Sequence, residues 1–220
     1  MFGRGSGLSE TELRILEPLN TPGKIQDFIN TLKRNFELQG DTCLSPRSVL
    51  RTGQAHCVEG ALLAAVALRL HGRRALVVEM VATADDDSHM LAVFKDRGYW
   101  GTITQTNHAV LRYREPVYRN IRELVMSFFH EYFLNENGKK TLRSYTKPLD
   151  LSIFDKRGWV TAEEDIGYVP EYIEELHHYE LLESWQIRNL RAAEAVEIQA
   201  GSILVEPEPL RRKAMRGKFG

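Results

Sequence analysis

Cysteine and long apolar runs are both scarce in this chain. Only 2 cysteines occur, Cys43 and Cys57, too few for a disulfide framework, and a chain with no export signal is expected to keep both reduced. No apolar stretch approaches the roughly 20 residues needed to cross a bilayer. Met1-Phe-Gly-Arg-Gly-Ser-Gly also lacks the apolar core of a secretory leader, so a cytoplasmic location away from the membrane is expected. Charge excess is missing as well. With 29 basic against 30 acidic residues the net charge is -1, which removes any global electrostatic case for nucleic acid as a partner. There are no internal repeats and no low-complexity tracts, which excludes a repeat array.

What remains is a chain of 220 residues with 43% hydrophobic and 27% charged content, enough to bury one substantial core. Ser9-Glu-Thr-Glu opens a capped helix, and Pro22-Gly23 opens a second amphipathic run from Ile25 to Leu38. After a loop through Gly53, the Ala- and Leu-rich stretch from His56 to Leu70 predicts a buried helix that stops at Gly72 and carries Cys57 in its first turn. Ala75-Leu-Val-Val-Glu-Met-Val-Ala, His89-Met-Leu-Ala-Val-Phe and Tyr99-Trp-Gly-Thr-Ile-Thr read as strands. Lys95-Asp-Arg-Gly is the turn signal between the last two, which predicts an antiparallel hairpin.

Val117, Ile121, Leu124, Val125, Phe128, Phe129 and Tyr132 recur at helical spacing and predict a core-facing helix introduced by Glu115-Pro-Val-Tyr. Leu149-Asp-Leu-Ser-Ile-Phe reads as an edge strand, and Thr161-Ala-Glu-Glu as a capping box. Helices are expected over 172–182 and 185–198. The expected organisation is N-terminal helices over 1–40, a core over 41–150, a C-terminal helical extension over 151–205 and a basic tail over 206–220. The element order makes the fold α+β.

A thiol in the first turn of a helix feels the positive end of the helix dipole, which favours the thiolate. Such a nucleophile needs an imidazole from elsewhere in the fold, and His89, opening a strand after Asp85-Asp-Asp-Ser, is placed to supply it. If Lys95 to Gly98 forms the turn, Phe94 pairs with Tyr99 and His89 faces Thr104, which becomes the geometrical neighbour of the imidazole.

Thr52-Gly-Gln-Ala-His-Cys57-Val-Glu-Gly-Ala61, then His89 at a strand start, then Trp100-Gly-Thr-Ile-Thr104, resembles the core of the transglutaminase-like superfamily. The resemblance covers about 53–105. It implies a cysteine-proteinase fold in which a nucleophile helix packs on an antiparallel sheet, and the expected N- and C-terminal helices are additional to that core. It also implies acyl transfer through a cysteine thioester on a peptide, protein or small amide, with no metal and no cofactor. By that resemblance Cys57 is the nucleophile, His89 the general base and acid, and Thr104 stands where the family pattern has aspartate. A threonine hydroxyl accepts from imidazole but brings no negative charge, which favours an alternative reading as a catalytically impaired, peptide-binding module. Asn107, just past the same strand, is the second candidate to orient His89, and Gln54 the candidate oxyanion donor.

Other polar clusters take plainer readings. Cys43 has no helix start beside it and is assigned no role. Asp85 to Asp87 read as a solvated acidic loop and His177-His178 as surface residues, since adjacent helical histidines diverge by about 100°. Glu59 reads as a cap on the nucleophile helix.

Overall fold

Side-chain caps set the helix starts. In the computed structural model, which describes residues 7–38 and 40–207, Ser9 caps α1 (Glu10–Leu16) in a reciprocal box with Glu12. Thr21 caps α2 (Pro22–Ile29), with proline in its first turn. The second helix stops at Ile29 instead of reaching Leu38, because the amides of Lys33 and Asn35 donate to Gly53 and Ala55 at 3.0 and 3.1 Å. That exchange makes β1 (Lys33–Arg34) a parallel partner of β2 (Gln54–Ala55). Between them α3 (Pro46–Thr52), capped by Ser45, ends on Gly53, whose φ of 67° suits a residue without Cβ.

Helix α4 (Cys57–Leu70) is buried continuously from Glu59 to Leu68, as a helix that is apolar all round must be. It lies against α2, α3 and the main sheet. That sheet takes β3 (Leu76–Ala82), β4 (His89–Asp96), β5 (Tyr99–Ile103), β6 (Arg114–Tyr118), β7 (Leu142–Thr146), β8 (Leu149–Asp150) and β9 (His178–Glu180). Strand order is β6-β5-β4-β3-β7-β9, β8 also pairs with β3, and every pairing is antiparallel. The remaining α-helices among the described residues are α5 (Ile121–Met126), α6 (Tyr168–Glu174), α7 (Ser184–Arg188) and α8 (Ala195–Gly201), and 3-10 turns run over Phe129–Glu131 and over Leu151–Arg157, so the expected edge strand from Leu149 ends at Asp150. The fold is therefore α+β. Among the described residues no helix is long and apolar enough to cross a membrane.

Both faces of the sheet are covered. Val77, Met90, Ala92, Phe94 and Ile103 pack with α1 to α4 and with Val169 and Ile173 of α6. Leu76, Val78, Met80, Leu91 and Val93 pack with Leu124, Val125, Phe128 and Phe129. Two-sided burial explains why β3 and β4 read as continuous apolar runs and not as alternating ones.

Several expectations are corrected. The hairpin turn is Arg97-Gly98, both at positive φ (45° and 95°), so Asp96 pairs with Tyr99 and the register differs from the expected one. Two residues at positive φ suit the tight primed turns whose twist matches paired strands. Glu115-Pro-Val-Tyr starts no helix: it is edge strand β6, which tolerates a proline, and Val117 is 63% exposed instead of core. The helical stripe begins only at Ile121. Thr161-Ala-Glu-Glu caps nothing, and the next helix starts at Tyr168. The expected 172–182 helix breaks so that β9 can pair with β7, and the 185–198 helix is two short ones. Of the expected basic tail, 208–220 lie outside the described residues.

Candidate active site

Cys57 is the first residue of α4, and His56 before it is the cap. The Nδ1 of His56 accepts from the Val58 amide at 3.2 Å, while the Glu59 carboxylate accepts from the His56 amide at 2.9 Å. Glu59 is fully buried and also accepts from the Leu44 amide at 2.8 Å and the Asn35 side chain at 3.1 Å. It is a cap, as expected, and it also ties the incoming chain over the helix start.

His89 is set by the loop that precedes it. Tyr132 donates its hydroxyl to the Asp87 carbonyl, Thr141 donates to the Asp86 carboxylate, and Lys139 pairs with Asp85 at 2.6 Å. The acidic loop is thus pinned at three points. His89 itself is buried, with Nε2 2.6 Å from Thr104 Oγ1. Thr104 lies just past the end of β5, where continuing the ladder would set Thr106, not Thr104, opposite His89. Thr104 makes the contact as the diagonal neighbour, two residues back on the same face.

Gln26 of α2 fixes Thr104 in turn. Its Oε1 accepts from the Thr104 amide and its Nε2 donates to the Thr104 carbonyl, both at 2.9 Å. With Nε2 of His89 engaged by Thr104, Nδ1 is the nitrogen left for Cys57, which lies within hydrogen-bonding reach of His89 and His56. Burial alone would push the Cys57 thiol up. Hydrogen bonds from His56 and His89, and their charge, reverse this and hold it well below the ordinary thiol value. Burial, then the nearby Glu59, drive the Cys43 thiol upward, as suits an inert residue.

Cys57 is half-buried and lines a cleft of about 430 Å³. The cleft is walled by His89, by the Asp85 to Ser88 loop, by Arg34 to Glu37, by Thr106 to His108 and by Glu131 to Glu136. The cleft therefore adjoins both Cys57 and His89.

Two expected residues take other places. Asn107 lines the cleft, but its Nδ2 donates to the Glu206 carbonyl at 3.0 Å and its Oδ1 accepts from the Glu206 amide at 2.9 Å. It anchors the C-terminal segment and does not orient His89. Gln54 is exposed on β2 and is not among the residues lining the cleft, so it supplies no oxyanion donor here. Sequence reasoning missed His56 and Gln26. The first was detectable, because His56 and Glu59 have cap and N3 spacing around Cys57. No protein-family model matches this chain, and no match to it was found among curated proteins.

Proposed function

We propose that the chain is a thiol-dependent acyl transferase with a transglutaminase-like, cysteine-proteinase core. The observation that carries this reading is Cys57 in the wall of an open cleft, its thiol held well below the ordinary value by His56 and His89, with the far nitrogen of the His89 imidazole engaged at 2.6 Å. In the first step the Cys57 sulfur attacks the carbonyl carbon of an amide or ester, a C–S bond forms, and the developing oxyanion lies near the first-turn amides of α4. His89 then gives a proton to the leaving amine as the C–N bond breaks. Water or a second amine cleaves the thioester. Hydrolysis of a peptide or isopeptide bond is the leading outcome, transfer to an amine the second, and a peptide, protein or small amide the substrate. A cytoplasmic setting suits a site that depends on a reduced thiol.

The test is acyl-enzyme formation read by intact mass, with activated esters and amides as donors. The expected result is a hydroxylamine-sensitive adduct on Cys57, with His89→Ala retaining acylation by activated esters but losing amide turnover, since only an amine leaving group needs the proton. A second reading is favoured by Thr104, which brings no charge to the imidazole: a catalytically impaired domain that binds peptide in the same cleft. No adduct from any donor, together with alkylation at an ordinary thiol's rate, would decide for the binder.

A further inference from the structure

The imidazole in the cleft, His89, is backed by a neutral hydroxyl, whereas the imidazole beside it in sequence is backed by carboxylates. The His56 ring is 8% exposed, with Nε2 2.8 Å from the Thr42 carbonyl, 3.5 Å from Glu59 and 3.6 Å from Glu37. Its Nδ1 accepts from the Val58 amide at 3.2 Å at the start of α4. The ring also engages the Cys57 side chain, and with Nε2 given to the Thr42 carbonyl the nitrogen left for it is Nδ1. One nitrogen cannot accept from an amide and donate to sulfur at the same moment, so this atom has two exclusive partners.

We propose that His56 is a second working imidazole of the site, a positioning residue whose Nδ1 exchanges between capping the Val58 amide and holding the Cys57 proton. In the exchange the S–H bond of Cys57 breaks and an N–H bond forms at Nδ1, giving thiolate and imidazolium with no net change of charge. The Val58 amide is released by the same step, and it is one of the first-turn donors available to an oxyanion. The inference rests on the acyl-transfer reading for its purpose but not for its test.

Charge around the ring favours the exchange. Glu59 and Glu37 flank Nε2, Cys57 faces Nδ1, and the Thr42 carbonyl accepts in either state. Burial alone would lower the value of the ring, but the Cys57 hydrogen bond and charge, followed by Glu59, raise it to about 9. Roles divide accordingly. His56 holds positive charge against the sulfur from behind with the proton that leaves Cys57, and His89, which lines the cleft, draws from solvent the proton it gives to the leaving amine.

His56→Asn separates this role from simple capping, because asparagine is a good helix cap that never carries charge. The readout is the alkylation rate of Cys57 by iodoacetamide from pH 4 to 10, followed by peptide mass so that Cys43 does not contribute. The expected profile moves its midpoint up by about one pH unit or more, a roughly tenfold slower reaction at pH 6, in a variant whose cooperative melting shows that it is folded. An unmoved profile in a folded variant would overturn the proposal and leave His56 a cap alone. If the variant does not fold, histidine ¹⁵N spectra of the parent decide. Nδ1 of His56 must be protonated at pH 7 and lose that proton when Cys57 is blocked as a methyl disulfide, and a ring neutral in both forms refutes the exchange. No substrate enters either measurement, so failure of acyl transfer leaves their outcome distinct.

Discussion

The Nε2 of His89 and the Oγ1 of Thr104 are 2.6 Å apart, and both side chains are buried. A hydroxyl at this place fixes ring orientation without adding charge. Thr104→Val keeps the shape and removes the oxygen, leaving Nε2 without its partner. Stability should fall by about 1–2 kcal/mol in urea titration, the cost of an unsatisfied buried group. Amide turnover should fall on the order of tenfold to a hundredfold, mostly in kcat, because the lost function is orientation of the proton donor.

Gln26 holds both backbone groups of Thr104 from another layer of the fold, and among the described residues no other side chain bonds to them. Gln26→Leu strands a buried N–H and a buried C=O together. The expected loss is roughly 2–4 kcal/mol, with faster hydrogen exchange at the Thr104 amide. Unchanged exchange at that amide would show that the clamp is dispensable.

How much of this was legible from sequence depends on the distance over which each feature is encoded. Helix α4 and the strand starting at His89 are local, carried by helix formers after Cys57 and by β-branched runs after Gly72, and both were visible. The Thr104 contact was visible through a register that the tight Arg97-Gly98 turn displaces, and it survives because diagonal neighbours on a sheet still touch. Val117 misled because it falls by coincidence on the spacing of the α5 stripe, while Pro116 in an edge strand was the contrary signal. Gln26, which meets Thr104 across 78 residues, and β9, which pairs with β7 only once the sheet exists, have no local signature at all.

Glu79 on β3 makes stability depend on pH. Its carboxyl is buried, Oε2 has no hydrogen-bond partner, and His178, expected at the surface, stands half-buried with Nε2 3.8 Å away and likewise unpartnered. Burial, then the charges of Glu174 and Cys57, push the carboxyl from 4.5 up to about 7. Between those values the unfolded chain has released this proton and the folded chain retains it, so stability falls as pH rises and levels off above about 7. The contribution is on the order of 2–3 kcal/mol. Glu79→Gln should flatten that slope in urea titrations from pH 5 to 8, and a parent and variant with parallel slopes would refute the assignment.

Gly60 links helix α4 to the strand end that carries Thr104. It lies one turn into α4, and a Cβ added there would collide with Gln105, which follows Thr104, coming within 2.9 Å of its Cγ and closer still to its Cβ. Gly60→Ala must therefore push the end of β5 away from the helix start. Alanine's better helix propensity recovers up to about 1 kcal/mol, so the net stability loss should be modest, about 1–2 kcal/mol. Turnover should suffer far more, roughly a hundredfold, because displacing Thr104 displaces His89 from the sulfur. Gln105→Gly removes the colliding Cβ, so the double variant should recover most of the turnover that Gly60→Ala loses, although Gln105→Gly alone does not improve on the parent. A double variant as impaired as Gly60→Ala would mean that the helix, and not its distance from the strand end, is what the glycine serves.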